Sequence, residues 1–300
     1  MTTNDHHTHA AGVTDAYSLP RAELRTAWQA IKIADDVRNR LVANAMLSLE
    51  LRRSFPFETM PLHGLIILSG PPGTGKTTLA RGLANQIAEH IRGQKVQFVE
   101  IDPHALASSS LGRSQKEVTK LFHQVIPEHS TGGPCIVLLD EVETLAADRQ
   151  RMSLEANPID VHRATDAALA GLDYLARNHR ATLLIATTNF PQAVDRAFIS
   201  RADWIEDIGL PSPDARSAII LELLKQLASK WPRVSQLEQH VSAFVTASDG
   251  LDGRQLRKAL LAAGASTIAV AQDLNNLRRE HVLHTLELAR QTSSTIAGMP

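Results

Sequence analysis

Cysteine is almost absent: Cys135 stands alone among 300 residues. An intrachain disulfide and a cysteine-based zinc cluster are therefore excluded, which fits a reducing, cytoplasmic setting. Aromatic residues are scarce at 4%, and neither sign of charge is in excess, with 31 Lys and Arg against 32 Asp and Glu. That balance argues against a strongly basic nucleic-acid binder, although a local basic patch is compatible with it. No apolar run approaches the ~20 residues that a membrane-spanning helix needs. The start, Met-Thr-Thr-Asn-Asp-His, lacks the basic-then-apolar order of a signal peptide, so none is expected. What is present is a 43% hydrophobic share, enough for a sizeable core and unlike a disordered chain. The length fits about two domains.

Residues 1–18 are polar and carry His6, His7 and His9; they are expected to form a flexible tail without a metal site. Residues 19–60 read as a helical lead, because Trp28, Val37, Leu41, Ala45 and Leu49 fall on one stripe until Phe55-Pro56-Phe57 stops it. Residues 61–209 alternate strands and helices. Short continuous apolar runs at 64–68, 96–101, 135–139 and 183–186 predict four strands, buried on both faces. Helices are predicted at about 76–91 and 114–125, and another opens at Asn157-Pro158. This pattern is α/β, a parallel sheet sandwiched by helices. Pro211-Ser212-Pro213 then marks a boundary, and amphipathic segments at 214–230, 234–247, 253–271 and 277–291 predict a small all-helical domain over 210–300.

Gly70-Pro71-Pro72-Gly73-Thr74-Gly75-Lys76-Thr77 fits G-x-x-x-x-G-K-[ST] and sits between a predicted strand and a predicted helix, the context the motif requires. The glycines let backbone N–H groups turn toward phosphate oxygens, and the helix N-terminus favours an anion. Lys76 is placed to reach the β- and γ-phosphates, and Thr77 to offer its hydroxyl to Mg²⁺. Asp140-Glu141 follow an apolar strand, where open parallel sheets bind ligands. Beside a phosphate loop, Asp140 reads as a second Mg²⁺ group and Glu141 as the base that polarises the attacking water. Asn189 ends the fourth strand and is placed to orient that water. The strand at 96–101 lies between the phosphate-loop and Asp-Glu strands in sequence, which suggests a strand inserted between them in the sheet. The guanine-reading Asn-Lys-x-Asp is missing. Cys135 and the pair His281 and His284 read as packing or surface residues.

Gly70–Thr77, Leu138–Glu141, Ala186–Asn189, Ser200–Asp203 and Gly250–Arg254 occur in the order of the phosphate loop, acidic strand, first sensor, arginine finger and second sensor of the AAA+ ATPases, which this chain resembles. More narrowly it is similar to the pachytene-checkpoint family of HORMA-domain remodelers. The run Asp140–Leu145, Pro158 with Asp160 and Arg163, Arg201-Ala202-Asp203, and Gly253-Arg254 with Leu256-Arg257-Lys258 carry that likeness. The resemblance implies a P-loop AAA+ sheet domain followed by a helical lid. It implies ATP and Mg²⁺ as cofactors, with Gly70, Pro71, Pro72, Gly73, Thr74, Gly75, Lys76, Thr77, Thr78, Asp140 and Arg254 binding the nucleotide. It makes Glu141, Asn189 and Arg201 catalytic, Arg201 acting on the neighbouring subunit's site and Arg254 on its own. It places a substrate-gripping loop at Ser110 and Leu111, where many translocases carry an aromatic. Eukaryotic members also carry an adaptor-binding domain, for which the sixty or so residues before the sheet are too few.

By this resemblance the chain is expected to be a cytoplasmic, homohexameric ATPase that disassembles a bacterial HORMA-protein complex. It would thereby restrain antiphage second-messenger signalling, in company with a nucleotidyltransferase. Two other readings remain: a different AAA+ unfoldase or chaperone, protease-associated or enzyme-activating, and a nucleic-acid motor or clamp loader, which the near-neutral charge disfavours.

Overall fold

Leu65–Ser69 is a run of four large apolar residues closed by a serine, and each of its side chains is buried. It lies inside a six-stranded sheet of the computed structural model, which describes residues 12–91, 93–107, 113–147 and 158–297. In chain order the elements of the sheet region are β1 (Val13–Leu19), α1 (Ala22–Ala30), α2 (Asp35–Ser54), β2 (Leu65–Ser69), α3 (Lys76–His90), β3 (Val96–Ile101), α4 (Pro103–Ala107), α5 (Arg113–Lys120), α6 (Ile126–Ser130), β4 (Cys135–Leu139), α7 (Pro158–Asn178), β5 (Thr182–Thr188), α8 (Arg196–Ile199) and β6 (Trp204–Asp207). The strand order is β1-β3-β4-β5-β2-β6. All neighbours run parallel except β1, which pairs antiparallel with β3. Helical crossovers between parallel strands are what this order demands.

The four expected strands are present, and β4 and β5 are fully buried because helices cover both faces. A strand does separate the phosphate-loop strand β2 from the acidic strand β4. It is β5, the one that carries Asn189, and not β3. Two strands were not expected. Residues 13–18, read as flexible tail, belong to β1, whose side chains are mostly part-exposed because it is an edge. The opposite edge, β6, adds Trp204-Ile205-Glu206-Asp207 beside β2. The single helical lead is two helices, α1 and α2, interrupted at residues 31–34. Its stripe holds: Trp28, Leu41, Ala45 and Leu49 are buried and Val37 is half-buried. The expected helix over 114–125 changes pitch to a π-turn at Leu121–Val125, where Leu121 and Phe122 enter the core.

By its internal packing the chain divides into two units. The first comprises the described residues up to Gln29, then Arg38–Gly70 and Lys76–Asp207; the second comprises Ala30–Val37, Pro71–Gly75 and the described residues from Ile208 onward. In the first, the core joins the strands to Val118, Phe122, Ala168, Leu172, Leu175 and Phe198. Arg52 of α2 is buried there, donating to the backbone carbonyls of Thr182, Leu175 and His179. Burial pushes its pKa down to about 10. Gly64 (φ 72°) makes this possible, since a Cβ there would overlap the guanidinium.

The second unit holds α9 (Pro213–Ala228), a 3₁₀ segment at Pro232–His240, α10 (Val241–Ala247), α11 (Gly253–Ala262), α12 (Ile268–Gln272) and α13 (Arg279–Ala297). Ile220, Phe244, Leu251, Leu256 and Leu286 form its fully buried centre. Thus the amphipathic segment expected at 234–247 is half 3₁₀-helix, and that at 253–271 is broken between α11 and α12. The 30–37 segment is tied into this unit by Lys32 to Glu222 at 3.1 Å and Arg257 to the Ala30 carbonyl at 3.3 Å.

Candidate active site

β4 delivers two acids at its end, and they do different things. Asp140 Oδ1 accepts from Thr77 Oγ1 at 2.8 Å and from Thr187 Oγ1 at 2.5 Å. Three elements, α3, β4 and β5, thus meet on one carboxylate oxygen. Glu141 turns away from this knot. It is the one described non-glycine residue with positive φ, at 54°. The left-handed region costs about 1–2 kcal/mol for an L-residue and persists only when neighbours over-determine it. Here they do: the Glu141 N–H donates to Thr187 Oγ1 at 3.0 Å, Asn189 Nδ2 donates to Oε1 at 3.1 Å, and His104 Nε2 lies 3.2 Å from Oε2. Because an ionised carboxylate only accepts, His104 donates from Nε2. The Asn189 backbone N–H is fixed in turn by Glu143 Oε1 at 3.2 Å. Glu141 and His104 also line a cleft with Thr14 of β1 and Asp102, so the unexpected edge strand borders Glu141.

Lys76 opens α3. It is 5% exposed and its Nζ donates to the Gly70 carbonyl at 2.7 Å. Thr78, one residue beyond Thr77, is half-buried in the first turn. The loop residues Pro71–Gly75 belong to the second unit, where Gly73 (φ 81°) lies against the Asp252 carboxylate. A Cβ at Gly73 would fall 2.4 Å from the Asp252 carboxyl carbon, so only glycine fits. Thr74 Oγ1 closes the loop onto the Pro71 carbonyl at 3.0 Å. Asp252 also caps α11, accepting from the N–H groups of Arg254 and Gln255, while Gln255 answers to the Asp252 N–H. The cap points Arg254 from the first turn of α11, and its side chain is exposed.

Lys76, Thr77, Asp140, Glu141 and Asn189 are therefore placed in the first unit, with the last three joined by hydrogen bonds through Thr187 and Glu141. Arg201 is not among them. Its guanidinium forms a two-toothed pair with Asp173 of α7, Nε to Oδ1 at 2.7 Å and Nη2 to Oδ2 at 2.8 Å. That partner holds the Asp173 carboxyl below its usual pKa. Ser110 and Leu111, His6, His7 and His9, and Asn157 lie outside the described residues. Thr187, His104 and Asp173 were not singled out as site residues in the sequence. The signals available were weak: a hydroxyl two residues before Asn189, and a His three residues beyond the end of β3.

The phosphate loop, the acidic strand and Asn189 all fall within residues 66–210, which match the ATPase family associated with various cellular activities (AAA). The CD-NTase-associated protein 6 of Pseudomonas aeruginosa is 45% identical over 93% of both chains. This chain belongs to the AAA family. It resembles the pachytene-checkpoint branch within it: the rat pachytene checkpoint protein 2 homolog is 31% identical over 80% of this chain, which spans 61% of the rat protein. Among solved structures, C. elegans PCH-2 matches with a TM-score of 0.73 at 23% identity, over 93% of this chain and 75% of that one. A chain of the E. coli MS115-1 HORMA:CdnC:Trip13 complex matches with the same score at 18% identity, over 92% and 95%. These two establish the AAA fold of a sheet domain followed by helices. Among the described residues no helix is long and apolar enough to cross a membrane.

Proposed function

We propose that this chain hydrolyses ATP to ADP and phosphate in a cytoplasmic ring of identical subunits, and uses the cycle to disassemble a HORMA-protein complex that activates a second-messenger nucleotidyltransferase. The observation that carries the enzymatic part is the convergence of Thr77 and Thr187 on Asp140, next to a Glu141 held by Asn189. A hydroxyl and a carboxylate 2.8 Å apart, at a strand end beside a buried lysine, are an oxygen donor set suited to Mg²⁺, so the residues fit this ion and a nucleotide triphosphate. When bound, Mg²⁺ supplies neutralisation of charge building on the phosphate oxygens. Thr77 and Asp140 would hold it. Lys76 would exchange the Gly70 carbonyl for a phosphate oxygen, a charge-assisted bond in place of a neutral acceptor. Glu141 receives the proton of the attacking water, and Asn189 keeps the carboxylate aimed through Oε1. Arg201 brings positive charge to the neighbouring subunit's site, and Arg254 reports nucleotide from its own helical unit.

The partner rests on the relatives. One is named for association with a CD-NTase, and one solved complex contains HORMA, CdnC and Trip13 together. The sequence from 108 to 112 offers Leu111 and no aromatic, which suits a short local pull better than long threading. Glu141→Gln tests the reading: ATP should bind with unchanged affinity while phosphate release falls about 10²–10⁴-fold. Wild type with ATP should speed peptide release from a preformed HORMA–peptide complex, followed by fluorescence anisotropy. A fully active Glu141→Gln enzyme removes Glu141 from the chemistry; unchanged peptide release removes the HORMA substrate and leaves a different AAA+ task.

A further inference from the structure

Arg201 is the one proposed catalytic group whose described hydrogen bonds do not join it to the Asp140–Glu141 cluster of its own chain. An arginine that serves a neighbouring subunit faces a difficulty of order: before the neighbour's phosphate is present, a long flexible side chain samples many rotamers. Here the sampling is suppressed. Nε and Nη2 are forked onto Asp173, and Nη1 donates to the Ala197 carbonyl at 2.8 Å. Of the five N–H groups of a guanidinium, three are engaged and two have no partner among the described residues, on a side chain that keeps 22% of its surface in solvent.

The holder is itself held. α7 is locked into the core through Ala168, Leu172 and Leu175, each fully buried, so the Asp173 backbone has little freedom. Asp173 Oδ1 also lies 3.0 Å from His63 Nε2. Asp203, two residues after Arg201, is fastened just as firmly. Its carboxylate accepts from the N–H groups of His63 and Gly64 and from Ser48 Oγ at 2.7 Å. Asp203 therefore fixes the chain and Asp173 fixes the guanidinium. Surface ion pairs of this exposure contribute little to stability, so folding alone gives no strong reason for so ordered an arrangement. Preorganised charge, by contrast, acts without reorganisation at the moment of reaction.

We propose that Asp173 is a positioning residue for hydrolysis in the neighbouring subunit: it presents Arg201 with its unengaged N–H groups ready for phosphate oxygens. This rests on the trans role of Arg201 given above. The test uses mixed rings, made from differently tagged subunits and purified on both tags. Arg201→Ala subunits have a pocket and no finger; Lys76→Ala subunits have a finger and no working pocket. Their mixture should recover ATP hydrolysis that neither shows alone. Adding Asp173→Ala to the Lys76→Ala subunit should lower kcat of that mixture about tenfold or more with KM for ATP unchanged, because a misplaced group loses orientation, not binding. Adding Asp173→Ala to the Arg201→Ala subunit should retain the mixture's rate. Asp173→Glu in the finger-donating subunit should recover part of the loss. Equal loss in both arrangements, or loss in neither, overturns the proposal. If the parent mixture stays inactive, the trans role of Arg201 fails and the proposal falls with it. Mass photometry and thermal melting establish that each mixture is a folded ring, and Asp173→Asn replaces Asp173→Ala if the latter does not fold.

Discussion

Two arginines carry the charge proposed to act on the terminal phosphate, and the two regions treat them in opposite ways. Just beyond α8, Arg201 is forked onto Asp173, bonded to a carbonyl and mostly shielded from water. At the start of α11, Arg254 has only its backbone engaged, by the Asp252 cap, and among the described residues nothing bonds its guanidinium. A fixed charge pays its ordering entropy on folding, whereas a loose one loses it each time it engages. The contrast matches the proposed roles. A group that must be in place for a transition state benefits from being set beforehand, while a group that reports whether nucleotide is present must change its surroundings when nucleotide arrives.

The largest effect should come from Arg201→Ala. Loss of a transition-state charge predicts a fall in kcat of about 10³-fold with KM little changed. Steady-state phosphate release on the assembled ring measures it, and a parallel rise in KM would show that the fixed arginine is a binding group. Arg254→Ala should show the reverse split: KM for ATP rising about tenfold, from one charged contact, with a smaller change in kcat. Titration calorimetry on the Glu141→Gln background separates binding from turnover; unchanged affinity would erase the distinction drawn between the two arginines. Stability sharpens the comparison further. Arg201→Ala leaves Asp173 with His63 as its partner among the described residues; a pair of this exposure is worth at most about 1 kcal/mol, so Tm should fall by at most about 2–4 °C in a chain of this size. Arg254→Ala, on an exposed helix face, should leave Tm within about a degree. Calorimetric melting decides, and equal shifts would mean that the fork adds nothing to the fold.

The sequence pattern revealed the four inner strands because each is a continuous apolar run covered on both faces. It did not reveal β1 or β6, since Val-Thr-Asp-Ala-Tyr-Ser-Leu and Trp-Ile-Glu-Asp mix polar and apolar residues as edges do. Lys76, Thr77, Asp140 and Glu141 were legible through spacing within one motif or at one strand end. Thr187 on Asp140, His104 on Glu141 and Asp173 on Arg201 were not, for each joins residues 28 or more positions apart that only the sheet brings together. Cys135 was legible as packing: it is fully buried in β4, and burial pushes its thiol up to about 12. It stays protonated at neutral pH, so the smallest effect expected is near-zero labelling by iodoacetamide until the protein unfolds. Rapid labelling of the native protein would show that β4 opens.

β1 changes what a trimmed version of this protein would be. Its register runs antiparallel along β3 from Val13↔Ile101 to Leu19↔Val96, and it covers backbone groups that would otherwise be bare. Cutting the chain at residue 20, which the polar composition of the first eighteen residues invites, would remove that cover. β3 would become a raw hydrogen-bonding margin of Val-Gln-Phe-Val-Glu-Ile, the kind of strand that recruits other strands. The same cut would take Thr14 from the cleft beside Glu141. Anyone shortening this protein for crystallisation or tagging should expect clumping and altered turnover together, from the loss of seven unremarkable-looking residues.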